Sequence, residues 1–287
     1  MDWLLLTVLS VFSRATFGVA TKVLSKRVKV SAVSQAVMLL VTGGLLAIPL
    51  SPFIGGISFY NLSDVWLLAL VMIISSAIGN VLFFKGLEKL DASSAQVIFS
   101  SILLWSIFLS ILFLGSQFSL YQLVGIAVLL FAIILIQYKK DTKLMNKNVW
   151  YMLIAALLFA IFQVSSAELA KTISVGAYTL LAYLGGAFVL WAIYPKKISK
   201  EISSLAKQYK RAGVSTLFAA STSLLYAVFA YLAYASAPDR GVVVLLLTSQ
   251  VILGVILAII FLKERDQIPK KIAAGALAVI AGLLIKS

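Results

Sequence analysis

Ten apolar segments follow one another along the chain, at 3–23, 31–50, 65–87, 92–114, 118–138, 149–171, 174–195, 212–236, 241–262 and 268–285. An α-helix needs about 20 predominantly apolar residues to cross the ~30 Å hydrocarbon core of a bilayer. The pattern therefore predicts an all-α integral membrane protein with ten transmembrane helices. Connections are mostly short, which leaves no room for a soluble domain or a nucleotide-binding module. Segment ten is the shortest: Ile272 to Ile285 is 14 residues between Lys271 and Lys286. It spans only if those lysines snorkel to the headgroups or the lipid is thin.

Charge adds an orientation. Formal net charge is +14, which in a soluble chain would raise the question of nucleic acid. Here 20 of the 24 cations fall in the connections after segments 1, 3, 5, 7 and 9, and three (Lys171, Arg240 and Lys286) fall on the other side. Cations near membrane ends stay cytoplasmic, so both termini are expected to face outward from a plasma membrane. The start Met1-Asp2-Trp3 carries no basic region and no small-residue cleavage site follows segment 1, so no removable signal peptide is expected.

Composition narrows the chemistry. The chain has no cysteine and no histidine, which excludes disulfides, thiolates, imidazole bases and the usual soft metal ligands. Asp64, Asp91, Asp239 and Asp266 all sit at segment ends, so a paired-aspartate active site is not expected. The reading is a non-enzyme with no catalytic residue, no metal and no cofactor.

Internal similarity organises the segments. Asp91–Leu114 lies without a gap on Asp239–Leu262, matching Asp91 with Asp239, Ser101 with Ser249, Ile111 with Ile259, Phe113 with Phe261 and Leu114 with Leu262. Phe17–Lys26 lies on Phe162–Lys171, and Gly125 falls on Gly275 after a two-residue length difference in the loop. Segments 1, 4 and 5 thus repeat as 6, 9 and 10. This divides the chain into a first five-helix repeat at 1–140, a cytoplasmic linker at 141–148 and a second repeat at 149–287. Five is odd, so the halves enter the membrane from opposite sides, the inverted-repeat plan of many secondary transporters.

Ala233 to Leu284 carries a resemblance to the ten-helix EamA-type branch of the drug/metabolite transporter superfamily. A Tyr/Ala-rich helix end is followed by a tight turn, an apolar helix closing on Leu262-Lys263-Glu264-Arg265, and a glycine-bearing last helix. The first half carries a worn copy ending Phe113-Leu114-Gly115-Ser116, without the glutamate. Relatives often have a proline in helices 4 and 9 where this chain has Ile102 and Gln250, so the resemblance alone does not imply a helix break there. Many relatives are thought to keep both termini in the cytoplasm, opposite to the charge count. The resemblance implies movement of small metabolites by alternating access, coupled to an ion or an exchanged solute. It leaves the substrate open.

Polar groups inside the segments carry the functional reading. Arg14 lies midway along segment 1, where a charge costs ~2.5–3.5 kcal/mol on insertion scales. Thr7, Ser10, Arg14, Gly18 and Thr21 recur at helical spacing, forming one polar stripe that should face a cavity. A guanidinium there suits a carboxylate or phosphate; pairing with a glutamate or helix-end carbonyls is the structural alternative. Asn80, Gln96, Tyr226 and Gln250 would supply orienting hydrogen bonds and Trp105 an apolar wall, unless they serve helix-to-helix contacts. Glu168, near the outer end of segment 6, would carry a coupling proton or pair with Lys171. Gly43-Gly44 and Gly185-Gly186 sit at corresponding places in segments 2 and 7 and suit close contact or hinging. The expected activity is secondary transport of a small anionic or zwitterionic metabolite such as an amino acid, by a monomer or homodimer that binds no nucleic acid. A proton-coupled exporter of lipophilic cations using Glu168, and a non-transporting membrane scaffold, are the alternatives.

Overall fold

The computed structural model describes residues 2–90, 95, 98–99, 101–137, 147–262, 269–270, 273, 276–277, 280–281 and 284. Its elements are helices: α1 (Trp3–Arg27), α2 (Ala32–Leu50), α3 (Leu62–Leu87), α4 (Ile102–Leu114), α5 (Leu120–Gln137), α6 (Lys147–Leu169), α7 (Val175–Ile193), α8 (Pro195–Ser236), α9 (Arg240–Thr248) and α10 (Gln250–Leu262). No strand occurs among the described residues. Seven stretches are long and apolar enough to cross a bilayer: α1, α2 with the turn that follows it (Ala32–Ile54), α3, α6, α7, α8, and α9 with α10 (Arg240–Phe261). Much of segments 92–101 and 268–285 lies outside the described residues, so the ten-helix count rests on the sequence there.

Starts follow local capping chemistry. The Asp2 carboxylate accepts the Leu4 N–H at 3.2 Å and the Ser31 hydroxyl accepts the Ser34 N–H at 3.4 Å, which satisfies orphan donors of α1 and α2. Pro195 opens α8 at a position where its missing N–H is harmless. The sequence pattern put 196–211 in a connection, but these residues continue the helix into segment 8. Leu205, Ala206, Lys207 and Gln208 are good helix formers, and nothing breaks the run before the bend at Ala212 (φ −122°, ψ 16°).

Breaks do appear in helices 4 and 9, without proline. Ser101 (φ −55°, ψ −16°) precedes α4 and Ser249 (φ −62°, ψ −15°) separates α9 from α10. Each carbonyl is taken three residues on, Ser101 by Leu104 N–H and Ser249 by Ile252 N–H, both at 3.1 Å. At Ser249 the hydroxyl also bonds the Leu246 carbonyl at 2.7 Å, a side-chain competitor for a helix acceptor. The break thus falls one residue before Ile102 and Gln250.

The bundle is held by pairs. α3 packs along α6 and α1 along α8; α4 also meets α6, α10 meets α1, and α2 bridges α8 and α3. Small side chains make the seams, with Ala155, Ala156 and Ala160 of α6 and Ala69 and Ala77 of α3 buried. This is the expected use of small residues where lipid leaves no hydrophobic drive between helices. Phe12 on α1, Phe108 and Leu112 on α4, and Phe188 on α7 instead face outward, apolar against apolar lipid. On α2, a Cβ at Gly43 would stand 2.5 Å from the Tyr183 ring, and one at Gly44 would meet the Leu184 side chain. That close approach coincides with a π-helical turn at Leu181–Gly185 inside α7.

Lys22, counted with the connection cations above, is buried in α1. Its ammonium donates to the carbonyls of Leu87 (2.8 Å) and Leu90 (2.6 Å), at the end of α3. Charged hydrogen bonds of this kind contribute about 1.5–3 kcal/mol, whereas a half-exposed ion pair such as Lys171–Glu168 contributes about 0–1 kcal/mol. Lys22→Met should therefore lower the melting temperature in detergent clearly, and Lys171→Met should leave it nearly unchanged.

Candidate functional site

The polar stripe of α1 turns inward. Thr7, Ser10, Arg14 and Thr21 are all buried, and the Ser10 hydroxyl donates to the Tyr226 carbonyl of α8 at 3.0 Å. Arg14 is 7% exposed. Its guanidinium carbon lies 4.7 Å from the Phe159 ring centre, 4.8 Å from Phe17, 5.0 Å from Tyr226 and 5.7 Å from Phe99. Among the described residues no carboxylate pairs with it. The cation is thus held by ring faces from α1, α6, α8 and the stretch before α4. Each such contact contributes ~0.5–2 kcal/mol, more when desolvated.

Two small chambers flank the guanidinium. The first, about 20 Å³, has the polar side chains Ser76, Asn80, Tyr183, Ser223 and Tyr226 on its wall. The second, about 10 Å³, is walled by Phe17, Phe83, Phe99 and Gln250. Each has room for about one water, so neither chamber as it stands admits a larger molecule.

Several wall groups are already engaged. Asn80 donates to the Ser76 carbonyl at 2.8 Å, Tyr183 and Ser223 share a hydrogen bond at 2.7 Å, and Gln163 donates to the Tyr226 hydroxyl at 3.0 Å. Ser106 of α4 donates to Gln163 in turn, at 3.4 Å. Gln250 differs. It is 3% exposed, and among the described residues neither its amide nitrogen nor its amide oxygen has a hydrogen-bond partner. It sits on the first residue after the Ser249 break, which points an amide at the chamber that Arg14 closes.

Of the residues singled out from the sequence, Arg14, Asn80, Tyr226 and Gln250 are brought together. Gln96 lies outside the described residues. Trp105 is 40% exposed on the outside of α4 and lines neither chamber. A position far from both helix ends is as compatible with the lipid face as with a cavity, and the neighbouring Ser106 takes the inward face. Glu168 is not at the cavity either. Its carboxylate accepts from Lys171 at 2.7 Å and stands 3.2 Å from Arg240, at the end of α6. Tyr183, Ser223 and Ser76 also line the first chamber, and Gln163 reaches it through Tyr226. Tyr183 carried the same signal as Tyr226, a tyrosine far inside an apolar segment; Ser223 and Ser76 carried none, because serine is common in such helices.

No three Asp, Glu, His or Cys side chains converge among the described residues, and the two chamber walls contain no acidic residue. Gln250→Met tests the unpaired amide. Unsatisfied buried groups cost about 1–3 kcal/mol each, so this variant should melt higher than the unaltered protein without ligand while losing ligand-induced stabilisation. A lower melting temperature would show that the amide is hydrogen-bonded after all.

Comparison with known proteins bears on the fold and on the first half of the chain. A solved crystal structure, titled only "Crystal structure of protein", matches 98% of this chain and 94% of its own with a TM-score of 0.69 and 13% identity, a likeness of fold. No curated protein matches the chain. The family description that matches is "EamA-like transporter family", over residues 1–138. It falls on the half whose closing motif is worn, rather than on 233–284 where the sequence likeness was read. Residues 1–138 match the EamA-like transporter family of the drug/metabolite transporter superfamily, and the long apolar helices are those of a multi-pass membrane protein.

Proposed function

We propose that the protein is a secondary transporter of a small anionic or zwitterionic metabolite, working by alternating access around Arg14. The observation that carries this reading is a buried guanidinium with rings on four sides and no carboxylate partner among the described residues. In the closed state the rings hold the cation. When helices part, ring contacts are lost and the guanidinium needs a new partner in a low-dielectric site, where a bidentate carboxylate or phosphate is favoured. Gln250 offers that ligand a donor and an acceptor, and Asn80, Tyr183, Ser223 and Tyr226 orient its remaining polar groups.

The architecture behind this reading is ten helices in two inverted halves, 1–140 and 149–287, joined at 141–148, with both termini outside a plasma membrane. Pairwise packing supports it: exchanging the halves turns the α3–α6 pair into α8–α1, and α4–α6 into the contact of α9 and α10 with α1. The paired breaks at Ser101 and Ser249 obey the same exchange. An inverted repeat allows one half to rock against the other about a site near the midplane.

An exporter of lipophilic cations is disfavoured by the same geometry. The aromatic faces that would take such a cation are occupied by Arg14, and Glu168 is held between Lys171 and Arg240.

Binding is tested by thermal shift of the purified protein against organic acids, amino acids, sugar phosphates, nucleotide sugars and lipophilic cations. Native-state binding raises the melting temperature by mass action. A carboxylate or phosphate compound should stabilise the unaltered protein and not Arg14→Ala, and Glu168→Gln should keep the response. Stabilisation by a lipophilic cation, equal in unaltered protein and Arg14→Ala and lost in Glu168→Gln, would overturn the anion reading.

A further inference from the structure

α8 has 42 residues, or about 63 Å at 1.5 Å per residue, roughly twice the hydrocarbon thickness. Half of it must therefore lie outside the core of the bilayer. The bend at Ala212 divides it. Beyond the bend, Thr222, Ser223 and Tyr226 pack into the bundle; before it, residues 195–211 carry Lys196, Lys197, Lys200, Lys207, Lys210 and Arg211, all exposed.

These residues are sorted by face. Ile198, Leu205 and Ala212, seven apart, are buried against the protein. Glu201, the one acidic residue in the stretch, is turned the same way and accepts the N–H (3.1 Å) and hydroxyl (2.9 Å) of Ser31, which caps α2. Tyr209 donates to the Met38 carbonyl at 2.9 Å and meets Thr42 at 2.7 Å, so its hydroxyl reaches down along α2. With its acid spent on α2, the outward face is left purely cationic. Arg27 bonds Ser215 at 2.8 Å, which brings exposed Lys26 and Arg27 to this same end of the bundle.

The flank of the stretch is apolar and open. Ile202 is 64% and Val214 84% exposed, and the latter begins a row that continues through Leu217 and Phe218 on the spanning half of α8. That row suits lipid, and the cationic stretch begins where it ends, so the lysines are expected at headgroup level on the side the charge count makes cytoplasmic. A basic, amphipathic helix at that level is suited to binding anionic lipid.

We propose that residues 195–211 form a docking surface for the anionic headgroups of the surrounding leaflet. Lys196, Lys200, Lys207 and Lys210 contact headgroup phosphates, and Ile202 and Val214 insert beside them. Through Glu201 and Tyr209, headgroup binding bears on α2, whose Gly43 receives the Tyr183 ring of the site.

The test uses the full-length protein in nanodiscs of phosphatidylcholine alone or mixed with phosphatidylglycerol, followed by amide hydrogen exchange resolved to peptides. Phosphatidylglycerol should slow exchange in 195–211 by roughly tenfold, raised salt should reverse this, and the fourfold Lys→Gln variant at 196, 200, 207 and 210 should not respond. Exchange in α1 and α3 serves as the control that the variant is folded. Equal exchange of 195–211 in both lipids would overturn the proposal. So would protection by inorganic phosphate alone in phosphatidylcholine discs, which would mark the surface as a soluble-anion site.

Discussion

A charge placed where a bilayer has no water is the constraint on which the rest depends. Arg14 holds its proton under all relevant conditions, and its cost at that depth falls between a few kcal/mol on insertion scales and more than ~10 kcal/mol in simulations. Among the described residues it is offset by four ring faces rather than by a carboxylate. An internal ion pair would have consumed the charge; an aromatic cage keeps it available, because ring contacts are weaker than a bidentate anion and can be exchanged for one.

Under the proposed alternating access, that arrangement requires helices to come close and yet be able to part. Alanine and glycine seams give the closeness: Ala155 and Ala156 on α6, Ala77 on α3, and Gly43 beneath Tyr183. Interruptions give the freedom. The breaks at Ser101 and Ser249 and the π-helical turn at Leu181–Gly185 each interrupt the regular backbone near a cavity residue, Gln250 after Ser249 and Tyr183 within the turn. Small errors in helical hydrogen bonding are thus located where the site is, as irregular backbone in a membrane is tolerated only when protein covers it.

Much of this was legible from the chain because membrane helices announce themselves by length and apolarity. The cavity side of α1 followed from the spacing of Thr7, Ser10, Arg14 and Thr21, since a buried polar stripe has a single favourable direction. Trp105 was not legible in the same way. In lipid, an outward aromatic is as stable as an inward one, so hydrophobicity no longer reports the side, and only packing decides. The helical course of 196–211 was missed for another reason: it is too charged to read as a span, and its periodicity of Ile198, Leu205 and Ala212 is short. Glu168 illustrates a third limit, because a carboxylate's partners are set by Arg240, 72 residues away in sequence. The breaks at Ser101 and Ser249 need no proline, so Ile102 and Gln250 could not announce them.

The most direct measurement is a structure of the protein with a stabilising carboxylate or phosphate compound bound in lipid. The account predicts anion oxygens on the Arg14 guanidinium, the rings of Phe159 and Tyr226 drawn back from it, and the Gln250 amide hydrogen-bonded to the ligand. A bound compound elsewhere, with Arg14 still enclosed by its four rings and Gln250 still unpaired, would contradict it.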